Sequence, residues 1–116
     1  AEVYLGCAIS VAGELPPQAQ VAVPQAANDL LTIDGVEASF VAVEKNGGVN
    51  ISARSMGAVN VQVILETLGG GGHLTMAGAQ LKGVNQDEAR RRIRDAVRAF
   101  RQEQAEKMRS SAAQTE

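Results

Sequence analysis

Apolar and polar positions alternate from the start of the chain. Val3, Leu5, Cys7, Ile9 and Val11 are set against Tyr4, Gly6, Ala8 and Ser10, which is the period of one β-strand. Pro16 and Pro17 close that segment. Over residues 19–33 the period lengthens, with Ala27, Leu30 and Leu31 at helical spacing, and Pro24 fits only near a helix start or a kink. Residues 36–44 and 49–54 are β-rich and joined by a Lys-Asn-Gly-Gly turn, whose Asn46-Gly47 pair favours a tight hairpin. In the second of these strands Val49, Ile51 and Ala53 share one face, while Asn50, Ser52 and Arg54 share the other.

Asn60 is placed to cap a short helix with Val61, Ile64, Leu65 and Leu68 along one stripe, and Gly69 to end it. A glycine loop follows, then a short strand over 77–84. Asn85 opens the last helix with Glu88 three residues on, a capping-box spacing, and Ile93, Ala96, Val97 and Phe100 form its buried stripe. The element order β-α-β-β-α-β-α predicts an α/β (α+β) fold, a mixed β-sheet with helices packed on it. One domain is expected over 1–109, with a disordered C-terminal tail over 110–116.

Composition adds few exclusions. The 116 residues are 45% hydrophobic and 21% charged, values of an ordinary globular domain with one modest core. The net charge of -2 provides no global attraction for nucleic acid or acidic lipid. Cations are unevenly placed: Lys45, Arg54 and Lys82 precede residue 85, and eight follow it. The arginines at 90, 91, 92, 94, 98 and 101 fall mostly on the polar side of the last helix, with Asp95 and Glu103 to offset them. That favours a solvated helix face over a nucleic-acid contact. A single cysteine excludes an internal disulfide. The start at Ala-Glu-Val-Tyr, without Met and already in strand pattern, reads as a piece of a longer protein.

Candidate chemistry concentrates in Leu-Gly-Gly-Gly-Gly-His-Leu-Thr-Met-Ala-Gly-Ala-Gln-Leu, residues 68–81, where four glycines precede the only histidine. Glycine loses the most backbone entropy on ordering, so the run requires a reason. A Walker loop is excluded because no Lys-Ser/Thr follows at the required spacing, and a dinucleotide fingerprint because a helix, not a strand, precedes the glycines. Two readings stay open on the motif alone. One is a cradle of exposed amides for an anion, with Arg54 and His73 beside it; the other is a flexible helix end followed by a core histidine. Arg54 matches a phosphate bidentately, or else forms a surface salt bridge. Cys7 lies on an apolar strand face, where a thiol is a small core residue rather than a nucleophile.

Ile51–Leu81 as a whole resembles the C-terminal domain that accompanies the DHH phosphoesterase domain. In that family a strand ends in Arg-Ser, a short helix opens after Val-Asp/Asn-Val, and a Gly-Gly-Gly-His loop follows. The corresponding residues are Arg54-Ser55, Val59-Asn60-Val61 and Gly70-Gly71-Gly72-His73. Leu74, Thr75 and Met76 separate His73 from Ala77-Gly78-Ala79, a spacing similar to cyclic-di-AMP phosphodiesterases of the GdpP type. Met76 stands where asparagine is expected and Gly78 where alanine is common, departures that bear on the base pocket.

The resemblance implies a substrate-binding role for Arg54, Ser55, Gly70, Gly71, Gly72 and His73. Arg54 and Ser55 would hold phosphate oxygens, the glycine amides would line the substrate, and His73 would donate to a phosphate or sugar. It implies two Mn²⁺ in a DHH domain outside this fragment, and no cofactor, metal ligand or catalytic residue within it. The intact protein would cut cyclic di-AMP to linear pApA, while the fragment alone would hydrolyse nothing. Implied partners are a cyclic dinucleotide or short oligonucleotide and the N-terminal DHH domain of the same chain, with a second copy in a homodimer as a further option. The parent would be anchored in the cell membrane with this end in the cytoplasm. Two other readings are an oligoribonuclease domain and a nucleic-acid-binding module. The latter has few stacking platforms in a chain that is 3% aromatic.

Overall fold

A computed structural model describes the backbone of residues 1–114 and the side-chain surroundings of residues 1–111. Ten elements follow one another: β1 (Glu2–Tyr4), β2 (Cys7–Ala12), α1 (Pro17–Gln20), α2 (Val23–Leu30), β3 (Ala38–Lys45), β4 (Gly48–Ser55), α3 (Val61–Glu66), β5 (Gly71–His73), β6 (Met76–Lys82) and α4 (Gln86–Gln114). The six strands form one mixed sheet in the order β1-β2-β3-β4-β6-β5. β2 and β3 run parallel, which requires a crossover, and α1 with α2 supplies it. The expected α/β class and its mixed sheet hold, and the expected order is recovered once the opening strand and the first helix are each divided in two and the glycine loop is counted as a strand.

The first of those divisions corrects the single opening strand. Leu5 (φ 51°) and Gly6 (φ 79°) make a two-residue turn that folds β1 back antiparallel on β2, with Tyr4 opposite Cys7 and Val3 opposite Ala8. A two-residue turn inverts the side-chain parity, so Val3 and Leu5 are exposed while Cys7 and Ile9 are buried. The hairpin is held by α4: Glu2 pairs with Arg90 (3.0 Å) and Arg94 (2.7 Å), and Arg94 lies 4.3 Å from the centre of the Tyr4 ring. Arg101 donates to the Leu5 carbonyl (3.0 Å) and to Glu37 (2.8 Å). The second division places Pro24 in the first turn of α2, where its missing N–H has no helical partner to lose.

Other local expectations are met by hydrogen bonds. Asn46 and Gly47 take positive φ between β3 and β4. Asn60 Oδ1 accepts from Val63 N–H (3.3 Å), and Asn85 Oδ1 accepts from Glu88 N–H (2.8 Å). Glu88 does not complete a capping box; its carboxylate turns to Arg91 and Arg92. Gly69 has φ 85° and donates to the Glu66 carbonyl, while Gly70 donates to Leu65, the paired bonds of a Schellman ending. α4 runs through Gln114, and residues 115–116 of the expected disordered tail lie outside the described residues.

The two sides of the sheet differ. On one side α3 and α4 bury Ile9, Phe40, Val49, Ile51, Ala53, Ala77, Ala79 and Leu81 together with Val61, Ile64, Leu65, Ile93 and Val97. Each fully buried Ile or Leu there stabilises by roughly 1.5–3 kcal/mol. On the other side a smaller cluster joins Ala27 of α2 to Val41 and Val43 of β3. The Ser39 hydroxyl beneath it donates to the Ala27 carbonyl (2.6 Å). Beyond β4 this second side is open, with Met76, Gln80 and His73 exposed. Among the described residues no helix is long and apolar enough to cross a membrane.

Candidate functional site

Strand register assembles the site. Met76 of β6 lies opposite Arg54 of β4 and also opposite His73 of β5, so the three form one row across three adjacent strands. Directly opposed residues share a face, and this row is on the open side. Two strand spacings, about 10 Å, separate Arg54 from His73. The next row on the same face is Ser52, Gly78 and Gly71, and the row after it holds Asn50 and Gln80. The period-2 pattern of β4 puts Asn50, Ser52 and Arg54 on one strand face, and the same alternation of Met76, Gly78 and Gln80 in β6 is the signal that adds Gln80.

Arg54 is half-buried, and its Nη1 donates to the Ala53 carbonyl at 2.8 Å. None of the ion pairs among the described residues includes it, so its charge is not neutralised by a carboxylate. The surface salt bridge considered for it does not form. His73 is exposed on an edge strand, which removes the core-histidine reading. Ser55 is turned inward: its hydroxyl donates to the Val59 carbonyl (2.6 Å) and accepts from Gly57 N–H (3.0 Å), and the residue is 7% exposed. Two backbone bonds beside it fix the β5–β6 turn, Ser55 N–H to Thr75 O (3.0 Å) and Val61 N–H to Leu74 O (3.1 Å). These bonds tie the hairpin bearing His73 to the end of β4 bearing Arg54.

The four glycines divide by what each position demands. Gly69 occupies the left-handed helix ending. Gly70 and Gly72 point to the buried side, where a Cβ at 70 would collide with the Gly78 carbonyl oxygen and stand 2.6 Å from Ala79 Cβ. A Cβ at 72 would strike the Met76 carbonyl and stand 2.5 Å from Ala77 Cα. Only Gly71 points to the open side, and a Cβ there would meet nothing within 4 Å. The glycines therefore form no simple run of free amides: Gly70 N–H is bonded to the helix, and Gly71–His73 is a strand. The expected loop is an edge strand because α3 ends close enough to β6 for bare backbone to pair with it.

Other candidates are placed elsewhere. Cys7 is fully buried in β2, and burial pushes its thiol up to about 11, opposed in part by the Arg101 guanidinium. It lies four strand positions from His73, so the two do not form a pair. Six of the seven α4 arginines are held in ion pairs among the described residues: Arg91 and Arg92 with Glu88, Arg98 with Asp95, Arg101 with Glu37, besides the two on Glu2. Those contacts favour a structural helix face over a phosphate-binding one. Among the described residues no three His, Cys, Asp or Glu side chains converge as a metal site would require.

Comparison with known proteins identifies the family and the fold. The DHHA1 domain model matches residues 18–103. The cyclic-di-AMP phosphodiesterase GdpP of Geobacillus thermodenitrificans is 51% identical over 96 residues, 82% of this chain and 15% of that protein. The bifunctional oligoribonuclease and PAP phosphatase NrnA of Thermus thermophilus is 48% identical over 66 residues, 54% of this chain and 20% of that protein. An exopolyphosphatase-related protein from Bacteroides fragilis shares the fold, with a TM-score of 0.72 at 23% identity over 85% of this chain and 31% of its own. The chain spans less than a fifth of the length of the GdpP relative it matches. By the extent of the domain match and the identity to that relative, this chain belongs to the DHHA1 family, the accessory domain of DHH phosphoesterases.

Proposed function

We propose that this chain is the substrate-binding half of a phosphodiesterase that hydrolyses cyclic di-AMP to linear pApA. The observation that carries the reading is the Arg54–Met76–His73 row on the open side of the sheet, beside the side-chain-free Gly71–Gly78 pair. The guanidinium forks onto phosphate oxygens, and the exposed imidazole donates to the same phosphodiester or its sugar. Gly71, one row along, leaves the backbone approachable where the sugar next to the phosphodiester lies. Gly70 and Gly72 hold the strand that presents it, and Ser55 acts by fixing the 55–59 turn behind Arg54. The hydrolytic metals, two Mn²⁺, belong to a DHH domain of the same polypeptide outside these residues. The intact protein is membrane-anchored, with this domain in the cytoplasm.

The test is Arg54→Ala and His73→Ala in the intact enzyme, with cyclic di-AMP as substrate. A charged hydrogen bond contributes about 1.5–3 kcal/mol, so kcat/KM falls roughly 10- to 100-fold in each variant while metal content and melting temperature stay unchanged. Unaltered kinetics for Arg54→Ala would remove it from the site. The similarity to NrnA supports a second reading, short oligoribonucleotides as substrate, which a preference for linear dinucleotides over the cyclic one would establish.

A further inference from the structure

We infer that the cross-strand amide pair Asn50 and Gln80 recognises the polar edge of a nucleobase, and that the base is adenine; this rests on the phosphodiester reading above. Both side chains are on the open face, opposite one another on β4 and β6, two rows from the Arg54–Met76–His73 row. Four residues of strand, about 13 Å, separate Arg54 from Asn50, with Ser52, Gly78 and Gly71 between them. Nothing taller than a hydroxymethyl group stands on that stretch. A sugar and a flat ring can lie over it with the phosphate at one end and the amides at the other.

Open surface hollows border Asn50. One, of ≈ 390 Å³, is lined by Asn50, Gly78 and Gln80 together with Ile51, Gly70 and Ala79. A second, of ≈ 170 Å³, has Asn50 and Ser52 on its sheet side and Val23, Pro24 and Val43 as apolar walls. Asn50 is half-buried, yet neither it nor Gln80 makes a side-chain hydrogen bond to any described residue. A carboxamide carries a donor and an acceptor side by side, which complements the adjacent amino group and ring nitrogen of adenine. Guanine offers two acceptors on that edge and suits an arginine fork instead, so the amide pair discriminates between the purines.

The experiment compares Gln80→Met and Asn50→Leu, both neutral and near-isosteric, with the unmodified intact enzyme. Substrates are cyclic di-AMP, cyclic di-GMP and the base-free diester bis(p-nitrophenyl) phosphate. The expected result is a fall of about tenfold or more in the cyclic di-AMP to cyclic di-GMP ratio of kcat/KM, with base-free hydrolysis unchanged. An unchanged ratio in Gln80→Met, an exposed position whose replacement leaves the melting temperature intact, overturns the inference. Arg54→Ala separates the two readings, since it lowers turnover of all three substrates if the phosphodiester reading is correct. An enzyme that cleaves neither cyclic dinucleotide overturns both.

Discussion

A methyl group at position 71 would touch nothing, whereas at 70 or 72 it would collide with β6. Three adjacent glycines thus give opposite outcomes in one experiment. Gly71→Ala keeps the melting temperature or raises stability by about 0.4–1 kcal/mol through a less flexible unfolded chain. Its kcat/KM on cyclic di-AMP drops on the order of tenfold as the methyl displaces the substrate. Gly70→Ala and Gly72→Ala lose more than about 1 kcal/mol, because backbone must move. Thermal melts beside kinetics distinguish these outcomes. Cys7 provides a second test at this scale. Its folded thiol, raised to about 11 by burial, stays protonated where the unfolded chain ionises. Stability is therefore full below the unfolded value of 9.0 and declines as pH rises toward 11. Alkylation of Cys7 at neutral pH is expected only in denaturant, and rapid labelling of the native protein would contradict this.

At the scale of elements, termini were legible because their chemistry is local. Asn46-Gly47, Asn60, Gly69 and Asn85 each state a turn or a cap through one or two residues, and each is realised. Asn85→Ala is expected to lose about 1 kcal/mol of stability in urea melts, since Glu88 N–H forfeits its acceptor. The elements that escaped are those decided by tertiary contact. Leu5 carries no turn signal, and its positive φ depends on Arg101 and Glu37 closing around the hairpin. β5 is built of residues with poor strand propensity and exists because β6 and the end of α3 leave no room for a side chain at 70 or 72. Arg54 and His73 could be named from sequence. The row that unites them, and the place of Gln80 two rows away, required the register of β6 between them.

Across the whole molecule, the sheet separates two sets of demands. Its helix-packed side carries the main core, while the other is left open beyond β4. In β6 the division falls on alternate residues: Ala77, Ala79 and Leu81 are buried, and Met76 and Gln80 are exposed. Core packing therefore places little restraint on the residues available to a substrate. The same layout bears on self-association. An uncovered sheet edge offers unpaired amides and carbonyls as a template for another strand, and long, flat edges aggregate. Here the outer strands are β1 and β5, each three residues long. β5 lacks side chains at Gly71 and Gly72, and the +150° φ of Gly72 departs from ordinary strand geometry. An incoming chain would find too little straight edge to extend, so an opening wide enough for a ligand does not become a nucleus for fibres.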